Sequence, residues 1–229
     1  MEAPHARFEL KRSRLFADAA IERHPLFTSL LEGRFDREAE RCIALEIFQV
    51  VRAFPRFLGA LAAQIDDWRL RMELVENLFE EHGRSKPAAV HVVTYRSFLH
   101  AIGIGEGEID QHVAGLPSTV YVRAVLDLCA RQSIGEAVGA LAVIEEIVAR
   151  VSPIVARFGA LRSDGSKLGS HFSAHEVLDV SHANELYDVA GRLGAGAAPS
   201  VLCGMQLGMY YHTRLYADLV ALAQTRGGR

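Results

Sequence analysis

The chain has little of what usually announces a function. Its 229 residues hold three cysteines and one tryptophan. Cys42, Cys129 and Cys203 are odd in number, far apart and share no Cys-x-x-Cys spacing, which argues against a secreted disulfide framework. That usage fits a reducing compartment, and a cytoplasmic protein is expected. The opening MEAPHARFELKRSRLF has no apolar core of the length a signal peptide needs. No stretch approaches the roughly 18 uncharged apolar residues of a membrane span, so no membrane partner is expected. The formal net charge is −3, which leaves no basic footprint for nucleic acid. Gly-x-Gly-x-x-Gly, P-loop and nucleophile-elbow patterns are absent, and with them the usual signatures of nucleotide binding and acyl transfer. No repeat, low-complexity tract or linker divides residues 1–229, so one domain is expected.

What is present is helical. Half of the residues are hydrophobic and 23% are charged, too apolar for a disordered chain and enough to bury a core. Ala, Leu, Arg and Glu dominate the long segments, and apolar residues recur at three- and four-residue intervals. The pattern predicts helices at 9–23, 25–32, 36–64, 66–82, 88–102, 106–114, 118–131, 133–158, 170–192 and 198–225. Asp36 is placed to cap the third, Gly33 and Gly83 to end helices, and Pro199 to open the last. Pro55 and Pro153 fall inside helical patterns and are expected to kink or split them. The fold class is all-α.

The informative residues are acids and imidazoles that share apolar helix faces. In HFSAHEVLDVSH, His175, Asp179 and His182 stand at i, i+4 and i+7, one stripe of a helix, on the side of Leu178 and Leu186. Three polar groups on an inward face need compensation, which a metal would give; a hydrogen-bonded core network or a solvated face are the alternatives. In ELVENLFEEHG, Glu81 continues the apolar stripe Leu70–Leu74–Leu78, whereas Glu80 continues the polar stripe with Glu73, Glu76 and Asn77. Ten residues on, across a glycine turn, His91 opens the next helix in phase with Tyr95 and Phe98, which lets two antiparallel helices bring both groups together. Glu81 at an exposed helix end is the competing reading. In GALAVIEEIVAR, Glu146 can pair with Arg150 on the surface, while Glu145 shares a face with Val138, Leu141, Val148 and Ser152 and needs a metal or a salt bridge. Three carboxylates and three imidazoles on four helices suit two iron or manganese ions in a helical bundle. The paired Glu-x-x-His motifs of ferritin-like proteins are missing.

On these residues the chain resembles the heme-oxygenase-like diiron oxidases and oxygenases. The NLFEEHG turn, His91 ahead of TYRSFLHAIG, GALAVIEE and HEVLDVSH carry the likeness. HPLFTSLLEGRFDREAERCIALEIFQVVRAFPRFL and GMQLGMYYHTRLYADL resemble the wider superfamily, which includes thiaminase II and pyrroloquinoline-quinone synthase. The resemblance implies a heme-oxygenase-like helical bundle in which Glu81, His91, Glu145, His175, Asp179 and His182 hold two non-heme irons, with manganese as an alternative. Glu145 on the central helix would bridge the ions. The implied activity is O₂-dependent oxidation of a small organic substrate by N-oxygenation, desaturation or oxidative C–C cleavage. Glu46, in ALEIFQVV, falls where superfamily members often carry an active-site residue and is taken as catalytic; a surface acid is the plainer reading, since Glu40 and Arg52 mark a polar side of that helix. His171 is a candidate support for the ligands, His82 is structural, Tyr210, Tyr211 and His212 belong to core or pocket wall, and Cys203 to the core. Few charges besides the ligands are expected inside. Rival readings are a metal-independent thiaminase II or pyrroloquinoline-quinone synthase-like enzyme and a non-enzymatic helical module. A homodimer through the apolar N-terminal helices is also expected.

Overall fold

The computed structural model describes residues 8–163 and 171–226, with the side chains of 171, 173–179 and 226 outside the described set. The described residues form ten α-helices and no strand. They are α1 (Glu9–Ala19), α2 (Pro25–Leu31), α3 (Arg37–Ala62), α4 (Trp68–Glu81), α5 (His91–Ala101), α6 (Glu106–Gln111), α7 (Leu116–Arg131), α8 (Ile134–Arg162), α9 (His171–Arg192) and α10 (Ala198–Arg226). One apolar core draws residues from all ten. Caps set the starts. Asp36 accepts from the Ala39 amide at 2.8 Å, Asp67 from that of Arg69 at 2.9 Å, and Ser133 from that of Glu136 at 3.2 Å.

The expected helices are there, with three differences. The first stops at Ala19, because Ala20 takes a left-handed φ of 44° and a short 3₁₀ turn, Ile21–Arg23, follows. Neither internal proline splits its helix. α3 buries Ala53 and Phe57 on either side of Pro55, and α8 buries Val151 and Phe158 around Pro153, so packing keeps each helix continuous where propensity alone would break it. The eighth helix runs on to Arg162 rather than ending at 158.

α8 is the axis of the bundle. It is apolar on all sides, as a helix surrounded by protein must be. α9 and α10 make the most extensive contacts with it. The α8–α10 seam is backbone against backbone: a Cβ on Gly139 would lie 2.3 Å from the Val201 carbonyl oxygen, and one on Gly204 2.0 Å from that of Glu136. α3 packs on α4, α5 and α7 and closes the other side. Among the described residues, α1 and α2 leave only one large apolar side chain exposed, Leu10, whereas α4 exposes Trp68, Met72, Val75 and Phe79. No helix among the described residues is long and apolar enough to cross a membrane.

Candidate metal centre

The α4–α5 turn brings two of the expected ligands together. Gly83, Arg84 and Ser85 all adopt left-handed φ values, and a Cβ on Gly83 would sit 2.6 Å from the Val90 amide nitrogen, so only glycine fits the bend. Across it, His91 Nδ1 lies 2.8 Å from Glu81 Oε1, with both side chains buried.

Glu145, from the middle of α8, is 3% exposed. Its Oε1 accepts a 2.7 Å hydrogen bond from the Asn77 side-chain amide and lies 3.8 Å from His182 Nδ1. His182, from α9, is buried, and its Nε2 is 2.6 Å from Glu80 Oε2. The ring is thus turned so that Nε2 meets the Glu80 carboxylate and Nδ1 faces Glu145. A carboxylate that fixes the far nitrogen of an imidazole is the usual support of a metal-ligating histidine. Burial would raise the Glu80 carboxyl, but hydrogen bonds from Arg84 and His182 outweigh it and hold it below the usual carboxylate range. His175 and Asp179 lie on α9, but their side chains are outside the described residues, as is that of His171.

Glu81, His91 and Glu145 face a cavity of about 130 Å³. Its walls are otherwise mostly apolar, with Leu26, Phe27, Ile43, Phe98, Val148 and Phe172 among them. Tyr216 and His212 of α10 close one side; His212 bridges the hydroxyls of Tyr121 at 2.7 Å and Tyr216 at 3.0 Å. Burial pushes the His212 imidazole down to about 3, so it is neutral.

The structure places several residues elsewhere than the sequence reading did. Glu46 is buried, yet neither on the surface nor among the residues that line the cavity. It points at the α6–α7 connection, where His112 Nε2 and the Gly115 amide both lie 2.8 Å from its Oε1 and the Ser118 hydroxyl donates to its Oε2. Glu40, read as marking a polar side of α3, is 2% exposed on the cavity wall and clamped by the Arg162 guanidinium. Glu146 pairs with Arg150 as expected, but inside, where Arg12 and Tyr187 also bind it. Charge in the interior is thus more common than expected, and each of these acids has its partners. Cys203 is exposed and Tyr210 is 61% exposed, so neither is core. His82 is an exposed residue at the end of α4, with Nδ1 2.8 Å from the Leu78 carbonyl oxygen.

Asn77 and Glu80 were missed as parts of the site. The buried residues of α4 are Leu70, Leu74, Asn77 and Glu81, a spacing of four, three and four, with Leu78 partly buried against the core beside them. That spacing was available in the sequence and would have put Asn77 beside Glu81.

The described donors are two carboxylates and two neutral-capable imidazoles, a set that suits iron or manganese better than a thiolate-preferring metal. Glu80 behind His182 adds the support such a ligand needs. Among the described residues no three His, Cys, Asp or Glu side chains close around one point. Two of the six expected ligands fall outside that set.

The bundle has a heme-oxygenase-like fold. A domain of unknown function with a heme oxygenase-like fold from Shewanella denitrificans superposes with a TM-score of 0.72 at 14% identity, over 95% of this chain and 92% of its own. A CADD-like protein of unknown function from Nostoc punctiforme gives 0.79 at 13% identity, over 97% and 96%. The family described as "iron-containing redox enzyme" matches residues 43–213, and the chain belongs to it. It is an oxidoreductase. A curated relative, the 4-aminobenzoate synthase of Chlamydia pneumoniae, is 25% identical over 195 residues, 82% of this chain and 84% of the relative.

Proposed function

We propose that this chain is an O₂-dependent non-heme diiron oxidase or oxygenase that oxidises a small, largely apolar organic substrate. The observation that carries the reading is two buried acid–imidazole pairs, Glu81 with His91 and Glu145 with His182; Glu81, His91 and Glu145 line an apolar cavity, and Glu80 lies behind His182. In this reading those four residues, with His175 and Asp179, hold two irons; manganese could take the same donors. The metal, when bound, supplies the electrons that activate dioxygen. Glu145 would hold metal from the central helix, where it meets a side chain from α4 and one from α9. Asn77 fixes the orientation of its carboxylate, and Glu80 fixes the ring of His182. The apolar walls exclude water from the reacting group. The cavity approaches the roughly 150 Å³ that accepts one benzene, so the substrate is of single-ring size. The aromatic product in the relative's name is consistent with such a molecule, at an identity too low to transfer the substrate itself.

Anaerobic loading with Fe(II), desalting and counting iron tests this directly. About two irons per chain are expected, as in other carboxylate-bridged bundles, with most of the metal lost in His175→Ala and Glu145→Ala. Mixing the loaded protein with O₂ should then produce a transient visible absorption band. Iron no higher than in the variants would sink the proposal and favour a metal-independent enzyme on the same fold.

A further inference from the structure

The polar groups on the cavity wall can be accounted for one by one. Glu40 is held by Arg162, Glu81 faces His91, and the Tyr95 hydroxyl donates to the Ala44 carbonyl oxygen. Glu145 takes the Asn77 amide, and His212 and Tyr216 bond to each other. Ser152 differs. It lines the cavity and is 1% exposed, and its hydroxyl has no hydrogen-bond partner among the described residues. A helical serine normally turns its hydroxyl back to the carbonyl four residues earlier; this one does not. A buried hydroxyl without a partner costs stability, and such a cost persists where a ligand supplies the missing bond.

Position adds to this. Ser152 stands seven residues after Glu145, on the same face of α8 and about 10 Å further along the axis. Val148, between them, also lines the cavity. A molecule lying along α8 would touch Glu145 at one end, Val148 in the middle and Ser152 at the other.

We propose that Ser152 is the hydrogen-bonding anchor of the substrate, a single-ring-sized apolar molecule that carries one uncharged polar group (a hydroxyl, amine or carbonyl) at the end remote from Glu145. This rests on the proposed function for the reaction, but not for the binding. A serine hydroxyl both donates and accepts, so it serves any of those groups. Among the described residues the wall offers no free guanidinium or ammonium for a carboxylate, because the Arg162 guanidinium beside Glu40 is already engaged.

The test uses phenol and toluene, which differ by a hydroxyl for a methyl, titrated by calorimetry into the full chain, both metal-free and loaded with Fe(II) under anaerobic conditions. Ser152→Ala should weaken phenol about five- to tenfold, the worth of one hydrogen bond, and leave toluene unchanged or tighter. The same variant should melt about 2–4 °C higher, because the unpaired hydroxyl is gone, and should bind as much iron as the parent chain. Equal effects on both probes, no binding of either probe to the parent chain, or a fall in melting temperature would each overturn the anchor. Discrimination between the probes without iron binding would leave the anchor standing while the diiron reading fails. Iron binding without discrimination would sink the anchor alone.

Discussion

Glu46 and Glu145 are withdrawn from solvent to the same degree, 1% and 3% exposed, and each sits mid-helix in an apolar neighbourhood. Their surroundings differ. Glu46 draws His112, Gly115 and Ser118 from a single stretch, the end of α6 and the start of α7, and so stitches that connection to α3. Glu145 meets Asn77 from α4 and His182 from α9, and it fronts a cavity. Burial of an acid says only that something compensates it. Where the compensating groups come from, and whether open space lies beside them, separates a structural stitch from a place where chemistry can occur.

The sharpest way to break this comparison is to truncate both acids. Glu145→Ala should lose most of its iron, as counted after anaerobic loading. Glu46→Ala should keep its iron but lose about 2 kcal/mol of stability in urea melts, because the buried Ser118 hydroxyl and the part-buried Gly115 amide and His112 ring lose their shared partner. Iron loss in Glu46→Ala at unchanged stability would reverse the assignment. The next step concerns the supporting groups. Asn77→Ala and Glu80→Gln should each weaken iron binding about 10- to 100-fold by competition with a chelator, since a group behind a ligand sets its orientation and basicity.

A third buried nest, Tyr121–His212–Tyr216, makes a purely pH-dependent prediction. The folded chain holds His212 near 3, whereas an exposed histidine titrates near 6.5. The unfolded chain therefore takes up a proton in that window that the folded chain refuses. The stability tied to His212 is complete above pH 6.5 and falls by about 1.4 kcal/mol per pH unit as the pH drops toward 3. Urea melts between pH 4 and 7 should show that slope in the parent chain and a shallower one in His212→Gln.

Much of the fold was legible because helix phase and glycine punctuation are local. The meeting of Glu81 with His91 is an example: a stripe, a Gly83 bend and a second stripe lie within one short stretch. Asn77 was misplaced by a choice between two overlapping stripes that differ by one residue. Glu40, Glu46 and Glu146 were misread for another reason. Their partners Arg162, His112 and Arg12 lie 122, 66 and 134 residues away in sequence, and no periodicity reports a contact of that range. Ser152 was named only as a member of an apolar stripe, because an unmet hydroxyl is visible only once its neighbours are placed. For His175 and Asp179 the sequence remains the source, since their side chains lie outside the described residues.

The glycine seam between α8 and α10 has a consequence for how this scaffold can be retooled. With Gly139 and Gly204 set against opposing main chain, neither helix can accept bulk along that line. Inheritance and engineering must therefore treat the seam as fixed gauge and reshape substrate scope from the movable walls, the side chains that α2, α3 and α5 contribute opposite it.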